Sequence, residues 1–162
     1  EFSRVASDMG IPTVAFDIDP GAVQQNYDLV KKNKEKCMLP LVMDLTNPSP
    51  DLGWHNAERS SMQARGPVDL VMALALIHHL AIANNVPLVK VASYFKDLGK
   101  YLIIEFVPKE DSQVKRLLAS RLDIFPDYTL DGFRQAFEQH FLLLEEKLVE
   151  GSKRTLFLMQ RK

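Results

Sequence analysis

The sequence predicts a three-layer α/β sandwich: a mainly parallel sheet covered by helices, closed by an antiparallel β-hairpin. Three observations carry this expectation. Short apolar runs alternate with segments of helical periodicity along the 162 residues, and such alternation implies parallel strands joined by crossover helices. Two of the runs stop at an acid, Ala15-Phe16-Asp17 and Val42-Met43-Asp44. The last two runs are separated by Gly151-Ser152-Lys153, a connection short enough to demand a hairpin.

The elements follow in order. Residues 1–9 read as a helix with Phe2, Val5, Ala6 and Met9 on one face, stopped by Gly10 and Pro12. A strand is expected over 13–16 and a helix over 21–34, with Val23, Tyr27 and Val30 sharing a face. Lys31, Lys32, Lys34 and Lys36 crowd its end, where cations favour the helix macrodipole. A second strand is expected over 39–43. The polar connection 46–67 is long for a compact domain, and loops of that length are usually functional or mobile. A third strand over 68–74 leads into a short helix over 75–83. A longer helix over 86–98 has Asn84 or Asn85 as its expected N-cap. A strand over 101–106 precedes helices over 111–122, capped by Asp111 or Ser112, and 130–140. The hairpin strands are expected over 142–150 and 154–160.

Bulk properties bound the function. A chain that is 46% hydrophobic and 25% charged has ordinary globular composition and suits a single domain over 1–162. Its net charge of −1 gives no electrostatic footprint for nucleic acid. The lone Cys37 rules out an intrachain disulfide and a cysteine-based zinc site, which fits a cytoplasmic setting. No apolar run is long enough to span a membrane, and the opening residues lack the pattern of a signal peptide. Glu1-Phe2-Ser3 reads as mid-helix, so the chain is expected to be the C-terminal part of a longer polypeptide.

The carboxyl ends of the predicted strands present Asp17-Ile18, Asp44-Leu45, Ala73-Leu74 and Glu105-Phe106. In parallel sheets this rim is where ligands bind. Asp17 suits the hydroxyls of a ribose, Asp44 an adenine amino group, and Ile18 and Leu45 the two faces of the base. The competing reading is that both acids cap the following helices, the role expected of Asp19 before Pro20. A carboxylate buried without donors would be costly, which favours a ligand.

On the acceptor side, His78 and His79 are candidates for taking a proton from an attacking nucleophile. Either could instead be structural. Glu105 could orient an acceptor, or pair with Arg59 or Arg121. Trp54 could clamp a heterocycle or pin its loop, and Arg59 and Arg65 could meet an anion. His55, Glu58, His78 and His79 lack the spacing of a metal site. Lys153, Arg154, Arg161 and Lys162 read as solvated charge.

Several of these stretches resemble the class I S-adenosylmethionine-dependent methyltransferases. They are Val14-Ala-Phe-Asp-Ile-Asp-Pro-Gly-Ala-Val23, Met43-Asp-Leu45, Val68-Asp-Leu-Val-Met-Ala-Leu-Ala-Leu-Ile-His-His-Leu80 and the terminal hairpin. More narrowly, Leu74-Ala-Leu-Ile-His-His-Leu-Ala-Ile-Ala-Asn-Asn-Val-Pro87 and Ile104-Glu-Phe-Val-Pro-Lys-Glu-Asp111 are similar to a little-characterised bacterial group, sometimes labelled nodulation-related methyltransferases. The resemblance spans essentially the whole chain. It implies a Rossmann-like methyltransferase sheet, S-adenosyl-L-methionine as cofactor and methylation as the reaction, and it leaves the methyl acceptor open.

The same resemblance places the family's first strand and its Gly-x-Gly turn before Glu1. A sheet without that strand either pairs 13–16 directly with 68–74 or leaves them apart. The chain alone is then expected to bind cofactor weakly or not at all, its pocket open at the methionine end. Exposed apolar surface beside 68–74 is expected to invite self-association. Two rival readings stand beside the enzyme: a non-catalytic methyltransferase-fold binding domain and a nicotinamide-dependent oxidoreductase. The Asp69-to-Leu80 stretch and the hairpin argue against the second.

Overall fold

The computed structural model describes residues 2–162. They divide into two compact units, one ending at Pro50 and one spanning Asp51–Lys162.

The first unit holds helix α1 (Phe2–Asp8), strand β1 (Thr13–Asp17), helix α2 (Pro20–Asn33) and strand β2 (Met38–Val42). β1 and β2 pair in parallel, with Thr13 opposite Met38 and Asp17 opposite Val42. The crossover is α2, and its ends follow from sequence. Asp19 caps it by accepting the Gly21 N–H at 2.8 Å, and Pro20 occupies the first turn, where its missing donor costs nothing. Lys34 ends it in the left-handed conformation (φ 55°), beyond the basic last turn of Lys31 and Lys32. Arg4 Nε meets Glu35 Oε1 at 3.1 Å, tying α1 to the segment after α2. Val14, Leu39 and Leu41 are exposed, so this two-stranded ladder is not the fully buried pair that its apolar runs suggest.

The second unit contains β3 (Val68–Ala73), α3 (Leu88–Leu98), β4 (Gly99–Phe106), α4 (Ser112–Leu118), α5 (Leu130–Phe137), β5 (Phe141–Leu148) and β6 (Thr155–Arg161). Its sheet order is β3-β4-β6-β5, with β3 and β4 parallel and β6 antiparallel to both of its neighbours. The hairpin thus adds one strand against the common direction. β3 is an edge of this sheet, with Val68 and Leu70 exposed. Among the described residues β1 is paired with β2 and β3 with β4.

The core of the second unit is aromatic. Phe133 of α5 stacks on Phe137 at 4.3 Å and meets Phe157 of β6 at 4.8 Å and Phe106 of β4 at 5.4 Å. Ile77, Ile82, Val91, Leu102, Ile104 and Met159 complete it.

Several expected boundaries move, each for a local reason. The helix predicted from residue 86 begins at Leu88 with Pro87 as its N-cap, since a proline keeps the residue before it out of helical conformation. Asn84 and Asn85 therefore do not cap it. Asn84 closes the preceding π-type turn, His79–Ala83, by donating its N–H and side-chain amide to the His79 carbonyl. Asn85 takes a left-handed φ of 57° and accepts from Arg121. The helix predicted over 111–122 is Ser112–Leu118, capped by Asp111, whose carboxylate accepts the Gln113 N–H at 2.8 Å. The long connection folds on itself through a bridge between Leu52 and Arg59.

Candidate functional site

In the first unit, Asp17 and Asp44 leave from adjacent strand ends. The ladder continues one step past β2, where the Met43 N–H donates to the Asp17 carbonyl at 2.9 Å. Asp17 Oδ1 accepts the Asp19 N–H at 2.9 Å and so braces the turn, while Asp19 does the capping. Asp17 is exposed, so the expectation that burial would demand a ligand does not hold for it. Asp44 Oδ1 accepts the Thr46 hydroxyl at 2.7 Å and the Thr46 N–H at 2.8 Å. The hydroxyl first and then the amide hold the Asp44 carboxyl below the usual carboxylate range. The side-chain hydrogen bonds of Asp17 fall on its Oδ1, and the Asn47 amide adds to the two Thr46 donors at the Asp44 carboxyl. Ile18 is exposed beside them and Leu45 is half-buried.

In the second unit, the carboxyl ends of β3 and β4 are in register, Ala73 opposite Ile104. Glu105, one step further, is only 8% exposed. Its Oε2 accepts the Ala75 N–H at 2.7 Å, and its Oε1 lies 3.6 Å from Arg154 Nη1. The anticipated partners Arg59 and Arg121 are thus not the ones used. Arg121 instead donates to the Ile82 carbonyl and to Asn85.

Arg154 reaches a second carboxylate, with Nε donating to Asp111 Oδ2 at 2.8 Å. Its guanidinium thereby holds Asp111 below the carboxylate range, and Asp111 in turn raises Arg154. This arginine is an anchored group, which corrects its reading as solvated charge.

Ala75 has φ +50°. The left-handed conformation costs a residue other than glycine ~1–2 kcal/mol. A hydrogen bond to a charged acceptor contributes ~1.5–3 kcal/mol. The Glu105 carboxylate is therefore strong enough to hold the turn that ends β3. Ala73 is buried and Leu74 half-buried within that turn.

The two histidines separate. His78 is 1% exposed and its Nδ1 has no hydrogen-bond partner among the described residues. Burial brings its pKa down to about 4, with the His79 and Arg154 charges adding to the effect and Asp111 opposing it. It is a neutral core side chain. His79 is exposed, with its ring 4.2 Å from that of His78. Trp54 is 85% exposed and pins nothing. Arg65 Nε is held by the Ser60 carbonyl at 3.1 Å. Among the described residues no three His, Cys, Asp or Glu side chains gather into a metal-sized cluster. No described helix is long and apolar enough to cross a membrane.

Arg154 and Ala75 were not visible as site residues from motifs. The available signal was Glu105 itself, a single charge inside Tyr101-Leu-Ile-Ile-Glu-Phe-Val107. A buried acid in such a strand requires a cation nearby, and the hairpin supplies one.

Known structures share this arrangement of strands and helices. The bifunctional kinase-methyltransferase WbdD superposes with a TM-score of 0.66 at 17% identity, covering 98% of this chain and 32% of its own. A SAM-dependent methyltransferase from Aquifex aeolicus gives a TM-score of 0.55 at 14% identity, covering 92% of this chain and 68% of its own. The chain has the Rossmann-like fold of the S-adenosylmethionine-dependent methyltransferases. At the level of sequence it is similar to the nodulation protein NoeA of Rhizobium meliloti (strain 1021), with 44% identity over 162 residues, 99% of this chain. The chain spans 34% of that relative's length. No protein-family profile matches it.

Proposed function

We propose that this chain acts in methyl transfer from S-adenosyl-L-methionine to a nucleophilic acceptor. The observation that carries the reading is Asp17: a carboxylate at the carboxyl end of a parallel strand, with one oxygen bracing its own turn and the other free, beside an exposed Ile18. A ribose diol needs such an acceptor. Asp44 suits the amino group of the adenine, and Ile18 and Leu45 suit its faces.

In the second unit, half-buried Leu74 at the end of β3, set on buried Ala73, suits an apolar cofactor wall. S-adenosyl-L-methionine held by Asp17, Asp44, Ile18 and Leu45 would supply an electrophilic sulfonium methyl group. The chain's residues must orient the acceptor and accept its proton. His79 is the exposed imidazole able to accept it, while Glu105 holds the Ala75 backbone and His78 is packed in the core. This division of labour is supported by the burial of His78 and Glu105.

The test is calorimetric titration of S-adenosylhomocysteine into this chain, as wild type and as Asp17→Ala. Binding that is weakened by Asp17→Ala supports the reading. A wild-type protein that binds neither S-adenosylhomocysteine nor S-adenosylmethionine overturns it in favour of the non-catalytic domain.

A further inference from the structure

We propose that Arg154 is a positioning residue for the turn that ends β3, acting through Glu105. This inference rests on the assignment of Ala73 and Leu74 to the cofactor wall, and it adds the device that sets their backbone.

Four observations converge. Ala75 is held left-handed at φ +50°, immediately after those two residues. Its N–H is bound at 2.7 Å by a carboxylate that is itself almost completely buried. The other oxygen of that carboxylate faces Arg154 at 3.6 Å. Arg154 is in turn fixed at 2.8 Å by Asp111, which caps α4. A chain of contacts thus runs from the start of β6, through the ends of β4 and α4, to one backbone amide of the β3 turn.

The register explains why this arginine reaches. β4 and β6 are antiparallel, with Phe106 opposite Thr155 and Glu105 opposite Leu156. The residue that enters β6 therefore lies beside the carboxyl end of β4. A buried carboxylate with a single neutral donor is poorly compensated. Without Arg154, Glu105 loses the cation beside its second oxygen and has reason to turn toward water, which loosens its hold on Ala75. A left-handed alanine without that hold relaxes toward ordinary backbone angles, carrying Leu74 with it.

Removing a purely stabilising ion pair would lower the melting temperature and leave the turn unchanged. Arg134 provides the comparison. It pairs with Glu146 at 2.6 Å and Asp131 at 3.2 Å, and makes no hydrogen bond to the β3 turn.

The experiment uses the protein carrying Arg154→Ala, Arg154→Lys or Arg134→Ala. Two quantities are read: S-adenosylhomocysteine affinity, and the amide proton resonance of Ala75, which a charged acceptor moves downfield. Arg154→Ala is expected to move that resonance upfield and to weaken binding at least fivefold. Arg154→Lys, which keeps the charge, is expected to retain most of both. Arg134→Ala is expected to lose stability only. If Arg154→Ala fails to fold, Arg154→Lys carries the test, since lysine cannot span both carboxylates and must shift the resonance part of the way. An unmoved Ala75 resonance in a folded Arg154 variant overturns the inference while leaving the methyl-transfer reading intact. A wild-type protein that does not bind the cofactor product overturns both.

Discussion

The N–H of Met43 donates to the carbonyl of Asp17 at 2.9 Å, one residue beyond the end of β2. That bond carries the parallel ladder as far as the acidic pair, so Asp17 and Asp44 leave neighbouring strands at nearly the same height. Their side chains are fixed differently. Asp17 is held by one amide, and Asp44 by an amide and a hydroxyl of the same threonine.

Asp17 and Asp19 should be separable by mutation. Asp17→Ala is expected to weaken S-adenosylmethionine or S-adenosylhomocysteine binding by ~1–3 kcal/mol, the worth of hydrogen bonds to a charged group. Asp19→Ala removes the cap of α2 and should cost ~1 kcal/mol of stability with little change in affinity. Paired calorimetry and urea unfolding decide the matter. Equal affinity in wild type and Asp17→Ala would leave Asp17 as a turn brace and nothing more.

Thr46 should control the charge of Asp44. Its hydroxyl is the largest influence holding that carboxyl low. Thr46→Val keeps the shape and the amide but deletes the hydroxyl. The Asp44 carboxyl should then titrate at higher pH, in the direction of an ordinary aspartate. Carbon-detected NMR titration of the carboxylates reads this directly, and an unshifted Asp44 would show that the hydroxyl is a bystander.

His78 gives the protein an acid-sensitive core. Its folded pKa of about 4 lies below the usual 6.5. The unfolded chain therefore binds the extra proton between those values and the native state does not. Stability from this group is fully present above pH 6.5, falls as the pH is lowered toward 4, and falls no further below it. At 1.36 kcal/mol per pH unit of separation, the loss is on the order of 3 kcal/mol. His78→Leu should flatten the pH dependence of the urea midpoint between pH 6.5 and 4. The carboxylates held low by partners, among them Asp111, lose their stability at lower pH, so the two limbs are distinguishable. An unchanged slope in His78→Leu would place the sensitivity elsewhere.

Tyr128 should be a structural hydroxyl. It is buried against Phe106, and its O–H donates to the Val107 carbonyl at 2.8 Å. Burial, and then the Asp111 charge, push its pKa well up, so it stays protonated across the accessible range. Tyr128→Phe leaves a buried carbonyl unpaired and should cost ~1–3 kcal/mol of unfolding free energy. A stability equal to wild type would mean that the carbonyl finds another donor.

Much of the fold was legible because its signals are local. The Asp19-Pro20 start of α2, the Asp111 cap of α4 and the three-residue hairpin connection are each written within four residues. Pro87 is an equally local signal, and its veto over the preceding residue outweighs the two asparagines as N-cap candidates. The site was less legible. Asp17 and Asp44 announced themselves by ending apolar runs, whereas Arg154 sits in a charged turn that reads as solvated. Its partners come from β4 and α4, 49 and 43 positions earlier, and only the antiparallel register brings them together. The burial of His78 against the exposure of its neighbour depends on the handedness of one irregular turn, which periodicity does not encode.

Gly132 sets two effects against each other. It lies in the first turn of α5, where its N–H donates to the capping hydroxyl of Thr129 at 3.0 Å. Alanine in a helix interior is favoured over glycine by ~1 kcal/mol, so on propensity alone Gly132→Ala should stabilise. A Cβ at this position, however, would collide with the backbone carbonyl oxygen of Asp127. That oxygen cannot swing away freely, because it already accepts the Thr129 N–H at 2.9 Å. Overpacking against fixed backbone costs ~1–3 kcal/mol, and the first turn of a helix collects less than the full propensity gain. The clash should win, leaving Gly132→Ala less stable than wild type by urea unfolding. Thr129→Ala, which removes only the cap, should lose ~1 kcal/mol without disturbing the Asp127 carbonyl. The double variant distinguishes the mechanisms. If the methyl group added by Gly132→Ala displaces the 127–129 segment, it has already spoiled the cap, and the two losses should sum to less than their separate values. Full additivity, or a Gly132→Ala protein more stable than wild type, would show that the segment before α5 yields to a methyl group at little cost.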